Sequence, residues 1–192
     1  MEGPPGPPGP AGGGTVYIRW GRTTCPSVPG TERVYEGIAA GSLYNQKGGG
    51  SNRLCLPKVP KYSSYQPGVQ GNSPLHGSEY ELPGGSPLPN VYDHNVPCAV
   101  CCVSTRSVVY VVPARDVCPS GWTLEYKGYL MSERYTHYRN TFECVDKDPE
   151  SIPGSAANTN GALFYHVETT CNGLPCPPYD PQKELTCAVC TK

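Results

Sequence analysis

No run of apolar residues in this chain approaches the roughly 20 needed to span a bilayer, so the sequence predicts no membrane span. No stretch sustains an apolar period of 3.6 residues, and amphipathic helices are therefore not the source of a core. Lys and Arg number 15 against 16 for Asp and Glu, without a basic stripe, which excludes a nucleic-acid footprint. Enzyme signatures are missing as well: the chain has no Gly-x-Ser-x-Gly, no phosphate-cradling loop and no metal-binding helix motif. Its four histidines, His76, His94, His137 and His166, lie scattered without ligand spacing, and His166 in its alternating apolar run reads as structural. The expectation is a protein with no catalytic residue, no cofactor and no bound metal.

What the chain does have is cysteine, glycine and proline: 11, 23 and 23 among 192 residues. Cysteine at this density belongs to oxidising compartments, where bridges supplement a limited core. An extracellular, secreted protein is expected from the cysteines alone. No signal peptide precedes Met1, which reads as the start of a fragment. Runs rich in β-branched and aromatic residues, Thr15 to Trp20, Ser107 to Val112, Thr123 to Tyr129, Ala162 to Thr169 and Leu185 to Cys190, alternate with Gly, Pro, Asn and Ser clusters. They predict an all-β fold. Tyr62 to Pro97, with Gly84-Gly85-Ser86-Pro87 at its centre, is the least regular stretch and is expected to cross the surface as extended loop and hairpin.

The chain also repeats itself. Tyr17, Arg22, Cys25 and Pro26 recur at one constant offset as Tyr110, Arg115, Cys118 and Pro119. Skipping two residues around Val28 and Pro29 aligns Gly30, Tyr35 and Gly37 with Gly121, Tyr126 and Gly128. Cys55, Lys58 and Pro60 then match Cys144, Lys147 and Pro149, and Cys98-Ala-Val-Cys101 returns verbatim as Cys187-Ala-Val-Cys190. A period this long, present twice, implies two tandem homologous disulfide-rich β subdomains related by a pseudo-twofold, at 15–104 and 105–192, and not a solenoid.

Each copy carries four equivalent cysteines. On a strand, the ends of Cys-Ala-Val-Cys are about 10 Å apart at roughly 3.3 Å per residue and face opposite sides, beyond the ~7 Å reach of a disulfide. Each must pair elsewhere. Cys25 and Cys55 therefore bridge to Cys98 and Cys101 in one order or the other, and Cys118 and Cys144 to Cys187 and Cys190 likewise. Cys171 and Cys176 enclose Asn172-Gly173-Leu174-Pro175 and suit a small local bridge. Cys102 is left over. Zinc sites place their Cys-x-x-Cys pairs about 15 to 20 residues apart, far closer than here, and a redox Cys-x-x-Cys needs a thioredoxin-like βαβ setting that is missing.

At the N-terminus, Gly3 to Ala11 reads Gly-Pro-Pro, Gly-Pro-Pro, Gly-Pro-Ala, collagen triplets in frame, and Gly12 to Gly14 follow as a joint, so that 1–14 forms a stub. This stub, two copies of a Cys-Pro-Ser segment with a Tyr-x-Gly beyond it, a central cysteine and a closing Cys-Ala-Val-Cys together resemble the C-terminal non-collagenous domain of type IV collagen. The likeness is closer still to the invertebrate short-chain collagens of the spongin type. It is strongest at Cys118-Pro119-Ser120-Gly121-Trp122 with Tyr126 and Gly128, and spans most of Cys25 to Cys190. The loops between cysteines do not align.

The resemblance implies two β-rich subdomains, exchange of β-hairpins between neighbouring chains, and a homotrimer, or a trimer with related collagen chains, that contacts other matrix molecules. It also implies the pairings Cys25–Cys101, Cys55–Cys98, Cys118–Cys190, Cys144–Cys187 and Cys171–Cys176, with Cys102 unpaired. The Ser-Tyr-Trp-like segment of type IV collagen is missing, so that family's chloride site and methionine crosslink are not carried over, and Met131 reads as a packing residue. The expected function is that of an extracellular-matrix trimerisation domain that registers a short triple helix. A second reading is a lectin-like or innate-immune ligand-binding head on a collagen stalk, with the tyrosine-bearing loops Ser42 to Ser51 and Tyr62 to Tyr92 as its ligand surfaces.

Overall fold

In the computed structural model, residues 13–68, 70–88 and 90–192 are described, and the collagen-like triplets of the stub lie outside them. The described residues form an all-β structure of ten strands. The first half contributes β1 (Thr15–Trp20), β2 (Thr31–Gly41), β3 (Leu54–Pro57), β4 (His76–Tyr80) and β5 (Pro97–Val103). The second contributes β6 (Val109–Pro113), β7 (Thr123–Ser132), β8 (Glu143–Asp146), β9 (Ala162–His166) and β10 (Thr186–Thr191). The boundary drawn at residues 104 and 105 falls between β5 and β6.

Within each half the strands take the same course. β5 lies antiparallel between β1 and β2, while β2 also pairs with β3 and, at its end, with β4. Likewise β10 lies between β6 and β7, and β7 pairs with β8 and, at its end, with β9. The irregularities match too: register slips in β2 between Arg33 and Tyr35, leaving Val34 over, and in the β7–β10 ladder so as to leave Glu125 over. Gly37 and Gly128 occupy equivalent crossings. A Cβ there would meet Leu56 O at 2.1 Å or Val145 O at 1.7 Å, so no side chain fits.

The halves are not separate bodies. β4 pairs in parallel with β9, and β1 meets β8 at Trp20 and Val145, which closes β1, β5, β2, β4, β9, β7 and β8 into one ring. Closure removes edges that would otherwise template aggregation. Both apolar clusters draw on both halves: Trp20, Tyr80 and Cys98 pack with Met131, Val145 and Phe164, and Tyr17 and Cys101 with Tyr126, Cys144 and Cys187. Met131 is wholly buried.

The stretch from Tyr62 to Pro97 corrects the expectation of a surface crossing. It divides instead. Residues 58–68 and 70–75 are exposed, but β4 and the chain beyond it bury Tyr80, Leu82, Leu88, Val91 and Val96. Alternation is weak there because β4 is covered on both faces, and buried strands do not alternate. Four more strands, β2, β3, β5 and β8, are not among the runs marked by β-branched content.

The bridges Cys55–Cys98 and Cys144–Cys187 each span 43 residues, whereas Cys171–Cys176 spans 5. In the chain-entropy model the long bridges contribute about 4 kcal/mol and the short one about 2. Cys55→Ser should therefore lower stability roughly twice as much as the Cys171→Ser, Cys176→Ser double variant in denaturant unfolding. Equal losses would contradict this.

Candidate functional site

The residues that the sequence singles out are gathered on β5 and β10. Cys101 bonds Cys25 and Cys98 bonds Cys55, so β5 is held from both faces; Cys190 and Cys187 hold β10 in the same way to Cys118 and Cys144. Cys98, Cys101, Cys187 and Cys190 are completely buried. Cys171 and Cys176 close a loop between β9 and β10. Cys102 is a free thiol of intermediate exposure, on β5 opposite Val16 and Glu32.

Four buried or half-buried carboxylates that the sequence does not announce join the two halves. Glu125, re-aimed by the β7 bulge, accepts at Oε2 from Tyr17 Oη and Thr31 Oγ1, both at 2.9 Å. Its Oε1 accepts from Arg106 Nη2 at 2.8 Å and Thr191 Oγ1 at 2.7 Å. Burial, then Glu125, drives the Tyr17 phenol far above its ordinary value and keeps it a donor. Asp146 receives Arg19 at 2.8 Å and 2.6 Å. Glu79 accepts from Thr159 N and Asn160 N at 3.1 and 3.0 Å. Glu143 accepts from Trp20 Nε1 at 2.9 Å, and burial holds its carboxyl above the usual range.

Arg53 crosses the same seam in the opposite sense. It donates to the carbonyls of Thr141 and Leu163 and lies 4.0 Å above the Phe164 ring, with Glu133 3.7 Å away. Burial lowers its guanidinium to about 10, so the charge persists at neutral pH. No sequence period marks these residues, since an isolated Glu or Arg reads as surface until its partner, some hundred positions away, is known.

The likeness of the two halves in strand pairing breaks between β6 and β3. The β1–β8 contact that closes the ring has its counterpart in β6 and β3, and these do not pair: among the described residues β6 forms a ladder only with β10, and β3 only with β2. Where Glu125 and Tyr17 are buried against each other, the equivalent Val34 and Tyr110 are 59% and 58% exposed. Leu54 on β3 and Val108 and Val111 beside or on β6 are exposed as well. The result is two sets of exposed apolar side chains, one beside the unpaired edge of β3 and one beside that of β6.

The histidines do not converge. His76 Nε2 is buried without a partner, His94 bonds the Tyr92 carbonyl, His137 stacks on Tyr44 beside Glu133, and His166 Nε2 lies 2.9 Å from Ser86 Oγ. Of the loop tyrosines, Tyr62, Tyr65 and Tyr92 are exposed and Tyr80 is core. Among the described residues no three His, Cys, Asp or Glu side chains are grouped for a metal ion, and no helix is long and apolar enough to cross a membrane. No family model matches the chain.

Two predictions follow from this geometry. Native protein should run as a single-chain band on non-reducing gels, and protein denatured in excess iodoacetamide should take up one equivalent per chain at the free Cys102, lost in Cys102→Ser; crosslinked dimers abolished by that change would overturn this. Burial also holds the His166 imidazole below its ordinary value, against a smaller upward pull from Glu184. The unfolded chain then binds the proton at higher pH than the folded one, so stability falls as pH drops through about 6.5 toward the lower folded value. Urea midpoints between pH 7 and 5 should therefore fall more steeply in wild type than in His166→Asn, and parallel curves would exclude the effect.

Proposed function

We propose that this chain is the trimerisation and assembly domain of a secreted, extracellular-matrix short-chain collagen, with a structural and not an enzymatic role. The observation that carries this reading is the unmade seam: β6 at Tyr110, and β2 and β3 at Val34 and Leu54, expose the counterpart of a contact that is buried where β1 meets β7 and β8. A head-to-tail contact between such surfaces on neighbouring copies is heterologous, and it forms a ring when the rotation closes. The collagen-like triplets that lead into β1 set the number of chains at three. Nucleating a triple helix from flexible coils carries a large entropic cost, and a compact trimer at the root of the stalk raises the effective concentration of the three ends.

The exposed stretch 58–68, with Val59, Tyr62 and Tyr65 about four-fifths exposed, supplies further apolar surface for a neighbour and suits the hairpin exchange that the family resemblance implies. Five bridges support an oxidising, extracellular setting. Obligate assemblies of this kind bury thousands of Å² and are apolar at the centre.

Light scattering at micromolar concentration should give the mass of three chains, and Tyr110→Lys or Val34→Lys should shift it to one chain without loss of the fold, because both side chains are solvent-facing. A monomeric wild type would sink the assembly reading.

A further inference from the structure

Where the end of β7 meets β9, a cleft of about 460 Å³ opens among Arg134, Tyr135, Phe142, Tyr165, Val167 and Glu168. Tyr135 is 90% and Phe142 66% exposed, so two aromatic faces stand in water beside the more buried Tyr165. Part of the polar lining is already engaged. Ser132 Oγ donates toward the carbonyls of Asn140 and Thr141, Glu133 accepts from Leu163 N and pairs with His137, and His166 Nε2 meets Ser86. The Arg134 and Glu168 charges, the Thr170 hydroxyl, the Tyr165 phenol and His166 Nδ1 remain.

We propose that this cleft binds a proline-rich extended segment, and that its occupant is the Gly-Pro-Pro run of a second copy of this chain. Aromatic-lined grooves recognise polyproline II segments by packing their rings against prolines, and such a ligand enters with little conformational entropy left to lose. Its carbonyls have no internal partners and accept from phenols. Tyr165, pushed up to about 12 by burial and then by Glu81, stays a donor throughout the physiological range. A charged peptide would find Arg134 and Glu168 offsetting each other.

The described chain begins at the far end. It enters at Thr15, opposite Val103, while the cleft lies beyond Met131 and His166, on the side reached by Trp20 at the other end of β1, about 16 Å along the strand. Heads would thereby dock on the stalks of neighbouring molecules. This goes beyond trimerisation and does not depend on it.

The test is binding of a fluorescent (Gly-Pro-Pro)10 peptide to the full chain by anisotropy. Saturable binding is expected, weakened at least about tenfold by Tyr135→Ser and by Phe142→Ser, with mass and melting temperature unchanged because both rings are exposed. A (Gly-Ser-Ser)10 peptide should not bind. Absence of saturation at millimolar peptide, equal affinity in the variants, or variants that abolish binding to a glycan array instead of the peptide would each overturn the proposal, whatever the mass by light scattering.

Discussion

A strand turns successive side chains to opposite faces, and in this protein that geometry acts through cysteine. Two cysteines three positions apart cannot share a face, so β5 is bonded on one side to the turn after β1 and on the other to β3, and β10 is bonded in the same way in its half. Everything else packs around these two immobilised strands. Because each is covered on both faces, Ala99 and Ala188 can be wholly buried although they offer little apolar area. Covalent closure replaces the larger side chains that a core of this size would otherwise need.

Such a frame fixes each half but does not join the halves. The ring does, and its seam is mostly polar. Glu125, Asp146, Glu79 and Glu143 accept from the other half, and Arg53 donates to it. A buried charge with its partner removed costs several kcal/mol, so the seam penalises a half that folds alone more than it rewards the pair. These groups therefore specify mutual orientation, while Trp20, Tyr80, Met131 and Phe164 supply the apolar burial.

Cysteine order and repetition made the outline of this fold legible, because a Cys-Ala-Val-Cys on a strand admits few partners. Thr15 to Trp20 was readable as a strand residue for residue. β4 was not, since Glu79 looks like a surface residue and is buried only because the backbone amides of Thr159 and Asn160 receive its carboxylate. Glu125 was equally hidden: its repeat partner is Val34, an apolar residue that lies in the open where the glutamate is buried. In both cases the deciding contact is non-local, and no window of sequence contains it.

The contrast between Glu125 and Val34 carries the functional argument as well. Two halves with the same strand course and the same bulge would be expected to bury equivalent positions. Within one chain only one of the two seams can close, since β1 reaches β8 while β6 and β3 stay unpaired. In the proposed ring of further copies that restriction would be lifted: every seam could be made, with valine and tyrosine where the internal seam has a carboxylate and its donors. That substitution fits its place. A polar network tolerates no missing partner and suits a contact formed as the chain folds, whereas apolar side chains can wait in water for a neighbour at modest cost.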